Sequence, residues 1–402
     1  MHTLDGVVRS VKPTHFDVAV IGAGPAGSTA ALVLARRGLR VLIAARPERA
    51  TFRIGEGLPP AARPFLQSLG LWQRFRAAGH LPCYGNKSAW GSSDLHETSF
   101  LFNQYGHGWH LDRHVFDRML LAAAQEAGAV YVCMSDASWH PTESGGLLTL
   151  RTGTSTMKFE ARLVLDCSGR AAAIATRHRA RRLLHDKLIA VAALHATANE
   201  NDVDSTTLVE AVADGWWYTA LLPQQRRIFV FLTDGDLVDV QTTRKDSNWI
   251  ARLGRTRHLR SIHERFGYRV VTRPAVWSAG SSRLSLAAGR GWIAAGDAAI
   301  SFDPLSSQGI LTALSTGKQA AEAVREGAII DHDHVASYLS GLDAIESHYL
   351  QRRAVYYATE QRWPTSPFWQ RRAAASSGRR PARAIAPQTQ LQAVRPHPVL
   401  LD

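Results

Sequence analysis

The run Asp17–Val18–Ala19–Val20–Ile21–Gly22–Ala23–Gly24–Pro25–Ala26–Gly27 constrains the fold of this chain more than any other. A short apolar strand enters G-x-G-x-x-G, so backbone N–H groups and the N-terminus of the following helix can cradle a pyrophosphate. The helix expected from Ser28 to Arg37 is alanine-rich and ends before Gly38, a residue suited to a C-cap. A second strand, Arg40–Val41–Leu42–Ile43–Ala44, completes a β-α-β unit within about 30 residues, the span of a dinucleotide-binding unit. Where a carboxylate commonly ends the second strand and takes the ribose hydroxyls, this chain has Ala45 followed by Arg46, and Glu48 is the nearest acid.

Nicotinamide and flavin dinucleotides share this first motif, so later segments decide between them. Leu163–Val164–Leu165–Asp166–Cys167–Ser168–Gly169–Arg170 and Gly291–Trp292–Ile293–Ala294–Ala295–Gly296–Asp297 each read as an apolar strand ending in a small-residue turn. An acid at a strand end can hydrogen-bond polyol hydroxyls, and a flavin has a ribityl chain where a nicotinamide dinucleotide has none. The run Asp303–Pro304–Leu305–Ser306–Ser307–Gln308–Gly309–Ile310 then opens an Ala/Thr-rich helix whose first N–H groups can face the electron-rich edge of an isoalloxazine. Flavin fits the set better.

The 402 residues suffice for one large α/β domain and a smaller second one. No apolar run of 18 or more exists and Met1–Thr14 lacks an apolar stretch, so neither a membrane span nor a signal peptide is expected. Cys83, Cys133 and Cys167 are too few and too scattered for a disulfide frame or a metal site; a reducing cytoplasm is the natural setting. The net charge of +13 is spread rather than gathered into a stripe, and no nucleic-acid-binding module is evident.

These segments together resemble the FAD-dependent monooxygenases of the p-hydroxybenzoate hydroxylase fold, with His110–Leu111–Asp112–Arg113–His114–Val115–Phe116–Asp117 similar to the segment in which an Arg contacts FAD. Within that superfamily the chain looks like the tryptophan-halogenase branch, and there like the peptidyl-tryptophan hydroxylases of tryptophylquinone maturation. Gly55–Pro60, Tyr84–Ser92, Tyr105–His110, Gly215–Tyr218 and Arg362–Trp369 carry that likeness. The halogenase segment W-x-W-x-I-P is not reproduced by Trp216–Trp217–Tyr218–Thr219–Ala220–Leu221–Leu222–Pro223. The implied fold is α/β: a doubly wound, discontinuous FAD-binding domain (1–80, 110–185 and 275–333) with an inserted antiparallel β-sheet substrate domain (81–109 and 186–274). A helical segment over 334–372 and a mobile tail over 373–402 follow, and residues 243–267 read as one helix.

The resemblance implies cofactor contacts from Gly22, Ala23, Gly24, Pro25, Ala26, Gly27, Arg46, Arg113, Ser168, Asp297, Pro304, Gly309 and Ile310. It also implies hydroxylation of an electron-rich ring by a flavin hydroperoxide, for which the protein supplies positioning, dryness and protons. Candidate catalytic residues are Lys87, able to polarise the oxidant; Glu56, able to accept an indole N–H; and His107 and His110, able to relay protons. Trp216, Trp217 and Tyr218 are candidate walls of an aromatic pocket. The expected substrate is a tryptophan in a protein or peptide, with small phenols or indoles as the alternative. Halogenation, double-bond reduction and a non-catalytic FAD subunit remain the competing classes. No second G-x-G-x-x-G follows a strand, so electrons come from NAD(P)H docking over FAD or from a separate flavin reductase.

Overall fold

β1 (His15–Ile21), α1 (Pro25–Arg36) and β2 (Val41–Ala45) form the β-α-β unit where the sequence places it. The structure, a computed structural model, describes residues 15–48, 52–199 and 201–377. α1 begins three residues earlier than its alanine run, because Pro25 at its first turn has no N–H to leave unsatisfied and a φ already suited to a helix. β1 pairs in parallel with β2 on one side and with Ser155–Asp166 on the other. Val130–Cys133 and Trp292–Ala294 extend this parallel core outward on the two sides. Ile21, Ala44, Asp166 and Ala294 lie in register, so the strand ends open into one crevice, where ligands of open α/β sheets bind. α1 packs against the helices Arg113–Glu126 and Gly309–Glu322, and the strands carry the main apolar core.

A second eight-stranded sheet stands beside this unit. Its order is Arg269–Val270, Leu188–Ala196, Arg226–Asp234, Gly215–Leu222, Thr207–Val212, Gly85–Ala89, His96–Ser99, with Ala275–Ser278 also on Leu188–Ala196. All pairs are antiparallel except Gly85–Ala89 with Thr207–Val212, which run parallel. Ala275–Ser278 thus belongs to the antiparallel sheet, past the point where the sequence returned the chain to the dinucleotide unit. Side chains on a strand alternate between faces. One face presents Ala190, Ala192, Trp216, Tyr218 and Ala220; the other presents Val191, Trp217, Phe229 and Phe231, covered by Trp249 and Leu259.

That second cover is three short helices, Val240–Thr243, Asp246–Leu253 and His258–Arg265, rather than one helix over 243–267. Chain turns at Arg244–Lys245 and Gly254–Thr256 reset the axis so that Trp249 and Leu259 both reach the sheet. The C-terminal helical segment is also broken: His332–Ala358, then Pro367–Ser377 beginning on a proline. The second helix runs through Ala373–Ser377, into the stretch whose composition reads as tail; 378–402 lie outside the described residues.

Trp217 is 1% exposed and packs, with tilted rings, against Trp249 at 4.8 Å and Phe231 at 5.1 Å. Trp217→Ala is expected to cost about 3–5 kcal/mol through the cavity it leaves. Chemical denaturation reads that loss, while the folded variant keeps its cofactor affinity.

Candidate functional site

The three glycines of the fingerprint have separate physical reasons. A Cβ on Gly22, whose φ is +113°, would meet the Cys167 carbonyl oxygen at 2.2 Å, and one on Gly27 would meet the Gly22 oxygen at 1.9 Å. These two allow strand, turn and helix to close on one another. A Cβ on Gly24 would meet nothing within 4 Å, so the turn is open on that side. Gly24 caps α1 without a side-chain hydrogen bond and the first turn holds no acid, leaving its amides and dipole directed at the crevice. The same holds at the start of Gly309–Glu322: no side-chain cap, no acid in the first turn and open space at Gly309. Both helix starts have amides free to accept an anion or an electron-rich group, and in this the residues fit FAD.

Around them the chain fixes its turns tightly. The Asp166 carboxylate is fully buried and accepts from the Ser168 amide at 3.1 Å and hydroxyl at 2.6 Å, and from the Ile174 and Ala175 amides at 2.9 and 2.8 Å. Ser168 in turn accepts from the Ala173 amide, so its hydroxyl is committed to the turn. Asp297 stands after the Trp292–Ala294 strand, 3.5 Å from the Arg170 guanidinium. Asp303 caps the Pro304–Ser306 turn through the Leu305 amide. Arg46 is exposed and donates to the Ser135 carbonyl at 3.2 Å; Glu48 pairs with His114. Arg113 donates to the carbonyls of Ile54 and Gly55 and to Asp117, so it holds the Gly55–Glu56 loop in place.

The loop and turn bring Glu56 to the aromatic face of the second sheet. Glu56 is 4% exposed, and the Tyr218 phenol points at its carboxylate at 3.4 Å. Burial pushes the Glu56 carboxyl above its ordinary range, against the smaller opposing pull of backbone amides, Tyr218 and Arg113. Trp216 stands 6.2 Å from Tyr218 on the same face, and Phe52, Ile54, Trp277 and Leu305 of the Pro304 turn pack against that cluster. Trp217 points to the opposite face.

Strand alternation also separates the other candidates. Lys87 is in register with Leu208, which belongs to the Trp217 side, and its ammonium donates to Asp204 at 2.9 Å. Its neighbours Asn86 and Ser88 face the Glu56 side instead. His110 is fully buried with Nε2 2.8 Å from the Thr207 hydroxyl. Burial, then the Arg227 charge, lowers its pKa to about 4. Its ring should stay neutral at pH 5–9, which nitrogen NMR shifts that do not titrate there would register. His107 lies against Trp109 at 4.4 Å and Tyr84 at 5.3 Å, with Nδ1 on the Gly108 carbonyl.

Two features were missed in the sequence. Asp303 accepts from the Tyr357 phenol at 2.6 Å, and Tyr357 accepts from the Trp216 indole at 3.0 Å. The Asp-Pro start of the turn signals the cap; nothing in sequence signals a partner 54 residues on.

An amide-lined crevice at the end of a parallel sheet, beside a second, mainly antiparallel sheet, is the architecture of a flavin-dependent oxidoreductase. The chain belongs to the family described as the FAD binding domain, whose model matches residues 15–323. It is 31% identical over 380 residues to a putative FAD-dependent oxidoreductase, LodB, of Marinomonas mediterranea, covering 90% of this chain and 98% of that one. It is 29% identical over 225 residues to a tryptophan 2-halogenase of Chondromyces crocatus, covering 51% of this chain and 40% of that one. Among solved structures it resembles the myxobacterial chondrochloren halogenase CndH, with a TM-score of 0.81, 21% identity and coverage of 90% and 86% of the two chains. It also resembles the peptidyl tryptophan dihydroxylase QhpG, with a TM-score of 0.72, 24% identity and coverage of 89% and 79%. These two likenesses establish the fold. No helix among the described residues is long and apolar enough to cross a membrane.

Proposed function

We propose that this FAD-dependent oxidoreductase hydroxylates an electron-rich aromatic ring, the indole of a tryptophan carried by a protein or peptide. The observation that carries the reading is Glu56: a buried carboxyl set between the cofactor-side turn and an aromatic face. Gly22–Gly27 would hold the pyrophosphate, Asp297 the ribityl hydroxyls, and the Gly309 and Ile310 amides the ring edge. When bound and reduced, FAD supplies activation of oxygen toward the ring. Trp216 and Tyr218 orient a planar substrate by edge and face contacts and keep water out. Tyr218 holds one Glu56 oxygen, leaving the other to take the indole N–H proton as the ring is attacked. A carboxyl made more basic than usual by burial is suited to take that proton and release it again.

The absent W-x-W-x-I-P segment favours hydroxylation over halogenation, and Lys87, on the far face and paired with Asp204, takes no part in the proposed reaction. The likeness to QhpG, a peptidyl tryptophan dihydroxylase, supports a peptidyl tryptophan as substrate. The reductant is proposed to be a separate flavin reductase or NAD(P)H docking transiently, and the net charge of +13 favours an acidic partner. The test supplies reduced holoenzyme with labelled oxygen gas and a tryptophan-bearing partner or peptide, with halide present and absent. Label in the tryptophan supports the reading. A halogenated product, or unlabelled tryptophan beside efficient turnover of free indoles or phenols, overturns it.

A further inference from the structure

Tyr357 is the inner end of a run of oxidisable rings. It is 3% exposed, and its ring centroid lies 5.5 Å from Trp90 and 6.0 Å from Trp369. Trp90 lies 5.3 Å from Trp369 and 5.1 Å from Tyr356, which is 36% exposed. Trp369 stacks on Trp363 at 6.0 Å with planes 24° apart. Trp363 borders a half-open groove of about 520 Å³ with Arg255 and Arg257. Every step from the Pro304 turn to the surface therefore joins rings at or near van der Waals contact. Tyrosine and tryptophan are the side chains most readily oxidised by one electron, and electron exchange decays exponentially with separation.

The inner end also has somewhere to put a proton. The Tyr357 hydroxyl donates to Asp303, a carboxyl with no exposed surface that burial makes more basic than usual. Arg353 and Arg372 lie 5.5 and 5.1 Å over the Tyr357 ring. Two guanidinium charges there oppose a radical cation, so electron loss must be accompanied by loss of the phenolic proton. Arg362, 4.3 Å over Trp363, makes the same demand at the outer end, where solvent can take the indole proton.

We infer that Tyr357, Trp90, Trp369 and Trp363, with Tyr356 as a second exit, form a hole-transfer path that discharges oxidising equivalents from the cofactor side to the surface. The inference rests on the flavoenzyme class and is independent of which ring is hydroxylated. The oxidant is an oxygen-derived radical, the class formed when a reduced flavoprotein meets oxygen without its substrate. It takes one electron from Tyr357 and leaves, protonated by solvent, as peroxide or water, while the phenolic proton crosses to Asp303 Oδ2, leaving a neutral tyrosyl radical beside a neutral carboxyl. An electron from Trp90 or Trp369 refills Tyr357 and the proton returns. The hole moves outward to Trp363 or Tyr356, where a soluble one-electron reductant of thiol or enediol type fills it and is itself oxidised.

The experiment reoxidises reduced holoenzyme in air without aromatic substrate, followed by freeze-quench electron paramagnetic resonance and peptide mapping of oxygenated residues. In the unaltered protein oxygen insertion should gather at Trp363 and Tyr356. In a Trp90→Phe/Trp369→Phe variant, which keeps ring packing and removes the oxidisable bridge, it should be lost there and appear at Tyr357, Trp216 and Tyr218. Tyr357→Phe should abolish the tyrosyl signal. The same residue map in bridged and unbridged proteins, or no protein radical in any of them, overturns the inference.

Discussion

Replacing Glu56 by glutamine is expected to lower the rate of aromatic oxidation by about 10²–10⁴-fold, the range for losing a general base. The rise of kcat/KM with pH governed by this carboxyl should disappear with it. Stability should move the other way. Glu56 titrates above its ordinary value of 4.5 in the fold because of burial, so the folded state binds more protons than the unfolded one above that pH. Its contribution is favourable at low pH and is lost as pH rises through its folded pKa. A glutamine side chain at this position never ionises, so the Glu56→Gln variant's melting temperature should exceed that of the unaltered protein in the alkaline range and match it in acid. Equal melting curves at every pH, with full activity, would remove Glu56 from the site.

The second large effect separates two glycines three residues apart. Gly27→Ala drives a methyl into the Gly22 carbonyl oxygen, a 1.9 Å approach that only movement of α1 can relieve. Overpacking of this kind costs about 1–3 kcal/mol or more, and this variant should melt early with or without cofactor. Gly24→Val has no such neighbour, and Gly24 has extended backbone at φ −78°, ψ −172°, open to any residue. Its apoprotein should melt normally, yet its branched side chain occupies the space over the α1 amides. FAD affinity, read by quenching of flavin fluorescence on titration, should fall at least about tenfold, a loss of about 1.4 kcal/mol.

The contrast marks what a sequence conveys. G-x-G-x-x-G, the Asp166 turn and the Gly296–Asp297 strand end are local patterns, and each imposes its backbone within a few residues, so the FAD-binding unit was legible. Strand alternation was legible too, and would have parted Trp217 from Trp216 and Tyr218 had the covering helices been placed. Lys87 and Glu56 show the limit. Both are single charged residues near aromatics, but which face each meets depends on the register of Gly85–Ala89 against Thr207–Val212 and on the Arg113 anchor of the Gly55 loop. Register between distant segments leaves no local trace. The Trp216–Tyr357–Asp303 chain likewise joins three segments whose sequences say nothing of one another.

The parallel seam between Gly85–Ala89 and Thr207–Val212 bears on how the chain is made. Asn86 and Thr207 are partners about 120 residues apart, so the seam cannot close until the later strand has left the ribosome. Closing so long a loop is entropically costly, and parallel pairing of distant segments is slow. Until then Gly85–Ala89 with His96–Ser99 is a lone hairpin, marginal in water, with the Gly85–Ala89 edge unpaired. Synthesis at about 5–20 residues per second leaves that edge waiting for several seconds. A chain shortened before the seam keeps it open for good, and aggregation through strand pairing is the fate set for such fragments.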